Sequence, residues 1–132
     1  MKINNKALII STSKLSGFDQ MKLDLYFLDE AILNSEILFT LRFYFWAGDW
    51  VSLGYHQKEI PAHWENLCKK GFIRIVRRPS GGGAVLHSGG ITYALTFKKT
   101  CYESFRYEVV NKWLINSFSR LGLNLKKGHL KK

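Results

Sequence analysis

The sequence predicts an α+β domain, and changes in the period of its apolar residues predict it. Apolar side chains recur at helical spacing over residues 19–33 and 102–121, and alternate with a twofold period over residues 38–46 and 91–97. The strands so marked come both singly and in adjacent pairs, with about three helices among them, which is not the strict alternation of a parallel α/β fold. The 132 residues are 46% apolar and include nine Phe, six Tyr and four Trp, enough material for one buried core. With two prolines, no repeat and no Ser/Pro-rich linker, residues 1–132 read as a single domain.

Taken in order, Ala7 to Thr12 is a short apolar run ending in polar residues, a strand. Asp19 is placed to cap a helix running to Leu33, whose Met21, Leu25, Leu28 and Ile32 share one face. From Leu38 to Trp46 the strand pattern sets Phe39, Leu41, Phe43 and Phe45 on one apolar face and Thr40, Arg42, Tyr44 and Trp46 on the other. Gly48-Asp49 turns the chain into a second strand, Trp50 to Leu53. Pro61 suits the first turn of a helix that stops at Gly71, where glycine fits the left-handed terminal position. Phe72 to Val76 is a strand leading into Arg77-Arg78. Ile91 to Phe97 is another, and Tyr102 to Leu121 is a helix with Phe105, Val109, Trp113 and Leu114 at its spacing, ending before Gly122.

Composition excludes several classes. No stretch approaches the ~20 apolar residues of a membrane span, and Ala7 to Ile10 is too short for a signal-peptide core. A cytoplasmic location is the default expectation. Cys68 and Cys101 form no CxxC pair and no His pair accompanies them, so neither a zinc site nor a disulfide framework is expected. Cys68 falls in a helical segment and reads as a small buried hydrophobe. Twenty basic residues against ten acidic give a net charge of +10, which can attract a polyanion. Apart from a Lys-rich tail at 126–132 the cations are scattered, so the charge reads as solvated surface and nucleic acid as the weaker partner.

The segment that carries chemistry is RRPSGGGAVLH, Arg77 to His87. Pro79 keeps Arg78 extended. Gly81, Gly82 and Gly83 strip the side chains from three successive positions, so backbone N–H groups can approach a ligand closely. Two arginines beside them suit a carboxylate, phosphate or acyl carbonyl. His87 lies four residues beyond the glycines. The spacing is neither a P-loop nor a dinucleotide fingerprint, and by itself it equally describes a glycine-rich hairpin next to a surface histidine.

In context, RRPSGGGAVLH followed by ITYAL resembles the signature of the lipoate–protein ligase A and octanoyltransferase family. GFDQMKLDLYFLDEAI, with Met21 and Asp24, is similar to that family's first helix. LRFYFWAGDWVSLGYHQ resembles its Leu-Arg-Phe-Tyr, Trp and Ser-Leu-Gly stretch, and PAHWENL its next helix. The four blocks keep the family's order over roughly residues 16–125, and the Arg-Arg-Pro and Gly-Tyr-His-Gln forms look most like the octanoyltransferase branch.

The resemblance implies a biotin/lipoate ligase-like catalytic domain, a mixed and mainly antiparallel sheet flanked by helices, here cut short at its C-terminal side. It implies that Arg78, Ser80, Gly81, Gly82, Gly83 and His87 line an acyl-substrate pocket, with Trp46 and Gly54 beside it and Arg77 turned away. The nucleophile of the transferase branch, a Cys, and the Lys of the ligase branch are expected beyond Lys132, so no catalytic residue is assigned. Cys101, at a predicted helix N-terminus beside Lys98 and Lys99, does not match that position and is read as structural. The implied activity is octanoyl or lipoyl transfer to the lysine of lipoyl-carrier domains, with acyl carrier protein as octanoyl donor and ATP only in the ligase branch. A complementing C-terminal fragment is a further candidate partner; a non-catalytic remnant that binds an acyl ligand or a partner and a basic nucleic-acid-binding protein are the alternatives.

Overall fold

The computed structural model describes residues 6–34 and 36–128. They form two compact units, one ending at Thr96 and one beginning at Phe97. The first holds β1 (Lys6–Ser11), α1 (Gly17–Leu33), β2 (Ile37–Tyr44), β3 (Trp50–Leu53), α2 (Ala62–Lys69), β4 (Arg74–Arg77), β5 (Val85–His87) and the body of β6 (Thr92–Phe97). The second holds a 3-10 segment at Lys99–Phe105 and α3 (Tyr107–Arg120). The α+β expectation is met, with the strands in two three-stranded sheets of order β1-β2-β6 and β4-β3-β5.

Pairing is mixed, with a larger parallel share than the mainly antiparallel sheet expected. β1 runs parallel to β2 and β3 parallel to β4, while β3 and β5 are antiparallel. The reason is connectivity: α1 and α2 each lie between the paired strands, and a helical crossover returns the chain in the same direction. β5, only three residues long, has no signal in the sequence strong enough to predict it.

α1 begins two residues before its expected cap. Ser16 is the N-cap, accepting from the Asp19 amide at 3.2 Å and donating to the Asp19 carboxylate at 2.6 Å, a reciprocal capping arrangement. Gly17 is required because a Cβ there would lie 2.4 Å from the Trp50 ring. The buried face is Gly17, Gln20, Met21, Asp24 and Ala31, whereas Leu25, Leu28 and Ile32, expected inside, are exposed.

The correction has its cause in β2. Its deeply buried residues include Thr40, Arg42 and Tyr44, and Trp46 follows, so the face expected to be the more polar one points at α1. Arg42, 1% exposed, pairs with Asp24, donates to Gln20 Oε1 at 2.6 Å and to Thr12 Oγ1 at 3.1 Å, and stacks on the Tyr44 ring at 3.8 Å. Tyr44 donates to the other Asp24 oxygen at 3.2 Å. Burial pushes the Asp24 carboxyl up against the pull of Arg42, and burial together with Asp24 pushes the Tyr44 hydroxyl up. α1 therefore needs polar residues on its inner face to match a buried cation. The adjoining apolar core is Met21, Tyr44, Trp46, Trp50 and Val76, with Ala94 packed on it.

Gly71, at φ +77°, ends α2 as expected, with the Phe72 amide returning to Leu67 O at 3.0 Å. α2 buries none of its residues, so Cys68 is exposed and is no core hydrophobe. In the second unit the predicted helix is interrupted: extended backbone at Arg106 separates the 3-10 turn carrying Cys101 from α3. Neither Pro nor Gly stands there to announce the break. Val110 is the buried residue of α3, while Val109 and Trp113 are exposed.

Candidate acyl-binding loop

Arg77 ends β4 and Arg78 follows it, its amide still bonded to Leu53 O at 3.0 Å, so the two side chains turn opposite ways as in a strand. Arg77 donates to the carbonyls of Gly54 (2.7 Å), Tyr55 (3.2 Å) and Gln57 (2.6 Å), bracing the turn after β3. Arg78 turns the other way. Its Nη1 donates to Ser52 O at 2.8 Å and Ser52 Oγ at 3.2 Å, and its Nη2 to Gly81 O at 2.7 Å and Gly83 O at 2.6 Å. Four Nη hydrogens thus meet four protein acceptors, so Arg78 organises the loop from behind with those donors already engaged.

The remaining loop carbonyls also face inward. Ser80 O accepts from the Tyr55 amide at 2.9 Å, and Gly82 O lies against Gly54, only 1.8 Å from where a Cβ on that glycine would stand. In a trans peptide the C=O and the following N–H point in opposite directions. The carbonyls of residues 80 and 82 go to Tyr55 and Gly54 and those of 81 and 83 to Arg78, so each following N–H points away from those partners. Backbone N–H groups of a glycine loop with a guanidinium beside them suit an anion or a carbonyl oxygen. Glycine is needed at residue 82, where φ is +90°. At Gly81 and Gly83 a Cβ would meet nothing within 4 Å, so the free space there lies on the outer side.

His87 closes the site from β5. Its Nε2 is 2.8 Å from Ser52 Oγ and its Nδ1 3.4 Å from Thr92 Oγ1, and its ring stacks on Trp46 with centroids 4.0 Å apart. Trp46, 3% exposed, donates from Nε1 to Thr92 Oγ1 at 2.9 Å. Trp46 is therefore core and also the floor beneath His87. Burial and the Arg78 guanidinium hold His87 below its ordinary pKa, so the ring is neutral at pH 7. Folding resists a proton that the unfolded chain accepts. Stability is therefore complete above about pH 6.5 and falls as pH drops toward the folded pKa. The Ser52–His87 contact has the distances of a nucleophile–base pair, but Ser52 is 1% exposed and closed to an acyl donor.

Beside the loop, residues 85–93 line an open depression of about 360 Å³, with Val85, Leu86, Ile91 and Tyr93 as its apolar wall and His87 and Thr92 in its lining. The loop residues Arg78, Gly81, Gly82 and Gly83 form one constellation with His87, while Ser80 contributes its carbonyl. Ser52 and Thr92 escaped the sequence reading because small hydroxyl residues alternating in strands carry no local signal. The signal that could have found them is register, since Ser52 sits opposite Val85.

Arg78→Ala should remove the brace on Gly81 and Gly83. The expected loss is about 1.5–3 kcal/mol, the scale of hydrogen bonds to a charged group, read as a lower urea midpoint. Arg78→Lys should recover little of it, because an ammonium cannot span these acceptors.

Residues 16–130 match the profile of the lipoyl protein ligase A/B catalytic domain. An octanoyltransferase of Carboxydothermus hydrogenoformans is 36% identical over 121 residues, covering 86% of this chain and 44% of that protein. The Staphylococcus aureus octanoyltransferase is 35% identical, over 74% of this chain and 38% of its own length. Among solved structures, a bipartite lipoate protein ligase of Thermoplasma acidophilum, described with its E2 lipoyl domain, superposes with a TM-score of 0.63 at 28% identity, over 96% of this chain and 49% of that one. Lipoate-protein ligase A bound with ATP gives 0.60 at 28% identity, over 98% and 51%. The chain thus spans about half the length of the proteins it resembles or less.

Proposed function

We propose that this chain, which belongs to the lipoyl protein ligase A/B catalytic-domain family, binds an octanoyl or lipoyl group at its glycine loop and serves transfer of that group to the lysine of lipoyl-carrier domains. The observation that supports this most is the glycine loop braced by Arg78 through Gly81 O and Gly83 O, with open space at Gly81 and Gly83, whose backbone amides suit the oxygen of an acyl carbonyl or carboxylate. The apolar depression beside it offers room for a medium-length chain. Octanoyltransferase relatives favour an acyl donor carried on acyl carrier protein, whose acidity the net charge of +10 would complement. The ATP-bound structural neighbour favours a second reading, activation of lipoate as its adenylate. On either reading the residues of segment 77–87 hold the acyl end and supply no Cys or Lys for transfer. Residues 1–132 are read as part of one catalytic domain.

The test is calorimetric titration with octanoate and lipoate. Gly81→Ala and Gly83→Ala add a methyl that meets nothing in the folded chain, so neither should alter stability. Each should weaken acyl binding at least about tenfold, 1.4 kcal/mol, because the methyl occupies the ligand's space. Unchanged affinity in both would refute the pocket. Tight nucleic-acid binding that resists salt would favour a basic nucleic-acid-binding role instead.

A further inference from the structure

We propose that Ser52 is a positioning residue that holds His87 in a single neutral tautomer, with its proton on Nδ1, and thereby couples the ring to the arginine that braces the glycine loop. Ser52 lies on the central strand β3 and is 1% exposed, so its hydroxyl hydrogen requires an acceptor inside the protein. Arg78 can only donate, so Ser52 Oγ accepts from it at 3.2 Å. The hydroxyl hydrogen then goes to His87 Nε2 at 2.8 Å, which must be unprotonated. The neutral ring carries its proton on Nδ1, facing Thr92 Oγ1 at 3.4 Å.

Thr92 Oγ1 also accepts from Trp46 Nε1, and as Thr92 lines the open depression its own hydrogen can reach solvent. The opposite tautomer would strand the buried Ser52 hydrogen without an acceptor. The stack on Trp46 holds the ring plane in place.

Protonation of Nε2 turns the acceptor into a donor. Ser52 Oγ would then accept from both the imidazolium and Arg78 while its own buried hydrogen lost its acceptor, and a second cation would face Arg78, the residue that also holds Gly81 and Gly83. Arg78 is the charged group facing His87; Ser52 from β3, Thr92 from β6 and Trp46 from the β2–β3 connection face it without charge.

The tautomer assignment stands independently of the acyl-site reading; only its consequence for ligand affinity rests on it. The test is nitrogen-15 NMR of the His87 ring in the full chain, wild type, Ser52→Ala and Ser52→Thr. Above neutral pH the wild-type ring should show a pyrrole-type Nδ1 and a pyridine-type Nε2. Ser52→Ala should revert to the Nε2–H form that predominates for imidazole in water, with its titration midpoint raised, and Ser52→Thr should retain the wild-type pattern. A wild-type ring protonated on Nε2 overturns the proposal, and that spectrum decides the matter even if a variant does not fold. So does a folded Ser52→Ala protein with unchanged tautomer and midpoint. Octanoate affinity should fall at least about tenfold as wild-type His87 protonates. A confirmed Nδ1–H tautomer in a chain that binds no acyl ligand sustains this proposal while the acyl-site reading fails.

Discussion

Gly54→Ala should displace the glycine loop and abolish acyl binding, because the added Cβ would stand 1.8 Å from Gly82 O and 2.8 Å from Gly82 C. Ordinary contacts between carbon atoms lie at about 3.5–4.0 Å, so the overlap cannot be absorbed by a few tenths of an ångström. The atoms met are backbone and a Cβ is fixed to its own backbone, so no side chain can rotate out of the way. The backbone of Gly54 itself is not left-handed, so the effect isolates steric approach from conformational strain. Overpacking of this kind costs about 1–3 kcal/mol, occasionally more. The measurements are a thermal melt and an octanoate titration. Wild-type affinity in a folded Gly54→Ala protein would show that the loop does not depend on its seat against β3.

Arg42→Met should destabilise the chain by about 3–5 kcal/mol, since it leaves the Asp24 carboxylate buried without its cation. That is a large share of the roughly 5–15 kcal/mol that holds a domain together. Among the described residues, the Tyr44 hydroxyl is the other side chain bonded to Asp24. The consequence should also reach the loop carrying Trp46. Gln20, which accepts from Arg42, donates to Phe45 O at 2.8 Å and to Ser13 O at 3.3 Å. The double variant Arg42→Met with Asp24→Leu should recover much of the loss, because it removes both buried charges together. Urea unfolding of the three proteins checks this. A single variant within 1 kcal/mol of wild type would show that the pair is not what joins α1 to β2.

The candidate site was legible in part. Three consecutive glycines after Arg-Arg-Pro mark a loop with exposed amides, and Gly82 at φ +90° shows why one of them is obligatory. The role of Arg78 was not legible, because charge in a sequence carries no direction. A guanidinium beside glycines reads as a ligand contact, but here its Nη donors meet the loop's own carbonyls and Ser52. Gly54 could be placed near the loop only through the family resemblance. Its cause is an approach between backbone segments nearly thirty residues apart.

The sequence by itself determined where most elements lie, because period, capping residues and terminal glycines act within a few residues of one another. Gly71 and Gly122 mark ends that the structure keeps. Which face of each element is buried was decided only by tertiary structure. Leu25, Leu28 and Ile32 make the more apolar stripe of α1, yet Gln20 and Asp24 go inside, because β2 presents Arg42 there. Pairing direction and the contacts among Ser52, His87, Thr92 and Trp46 likewise depend on which strands become neighbours. A buried charge sets its own partners by distance and hydrogen bonding, and those constraints appear only once the chain has brought remote segments together.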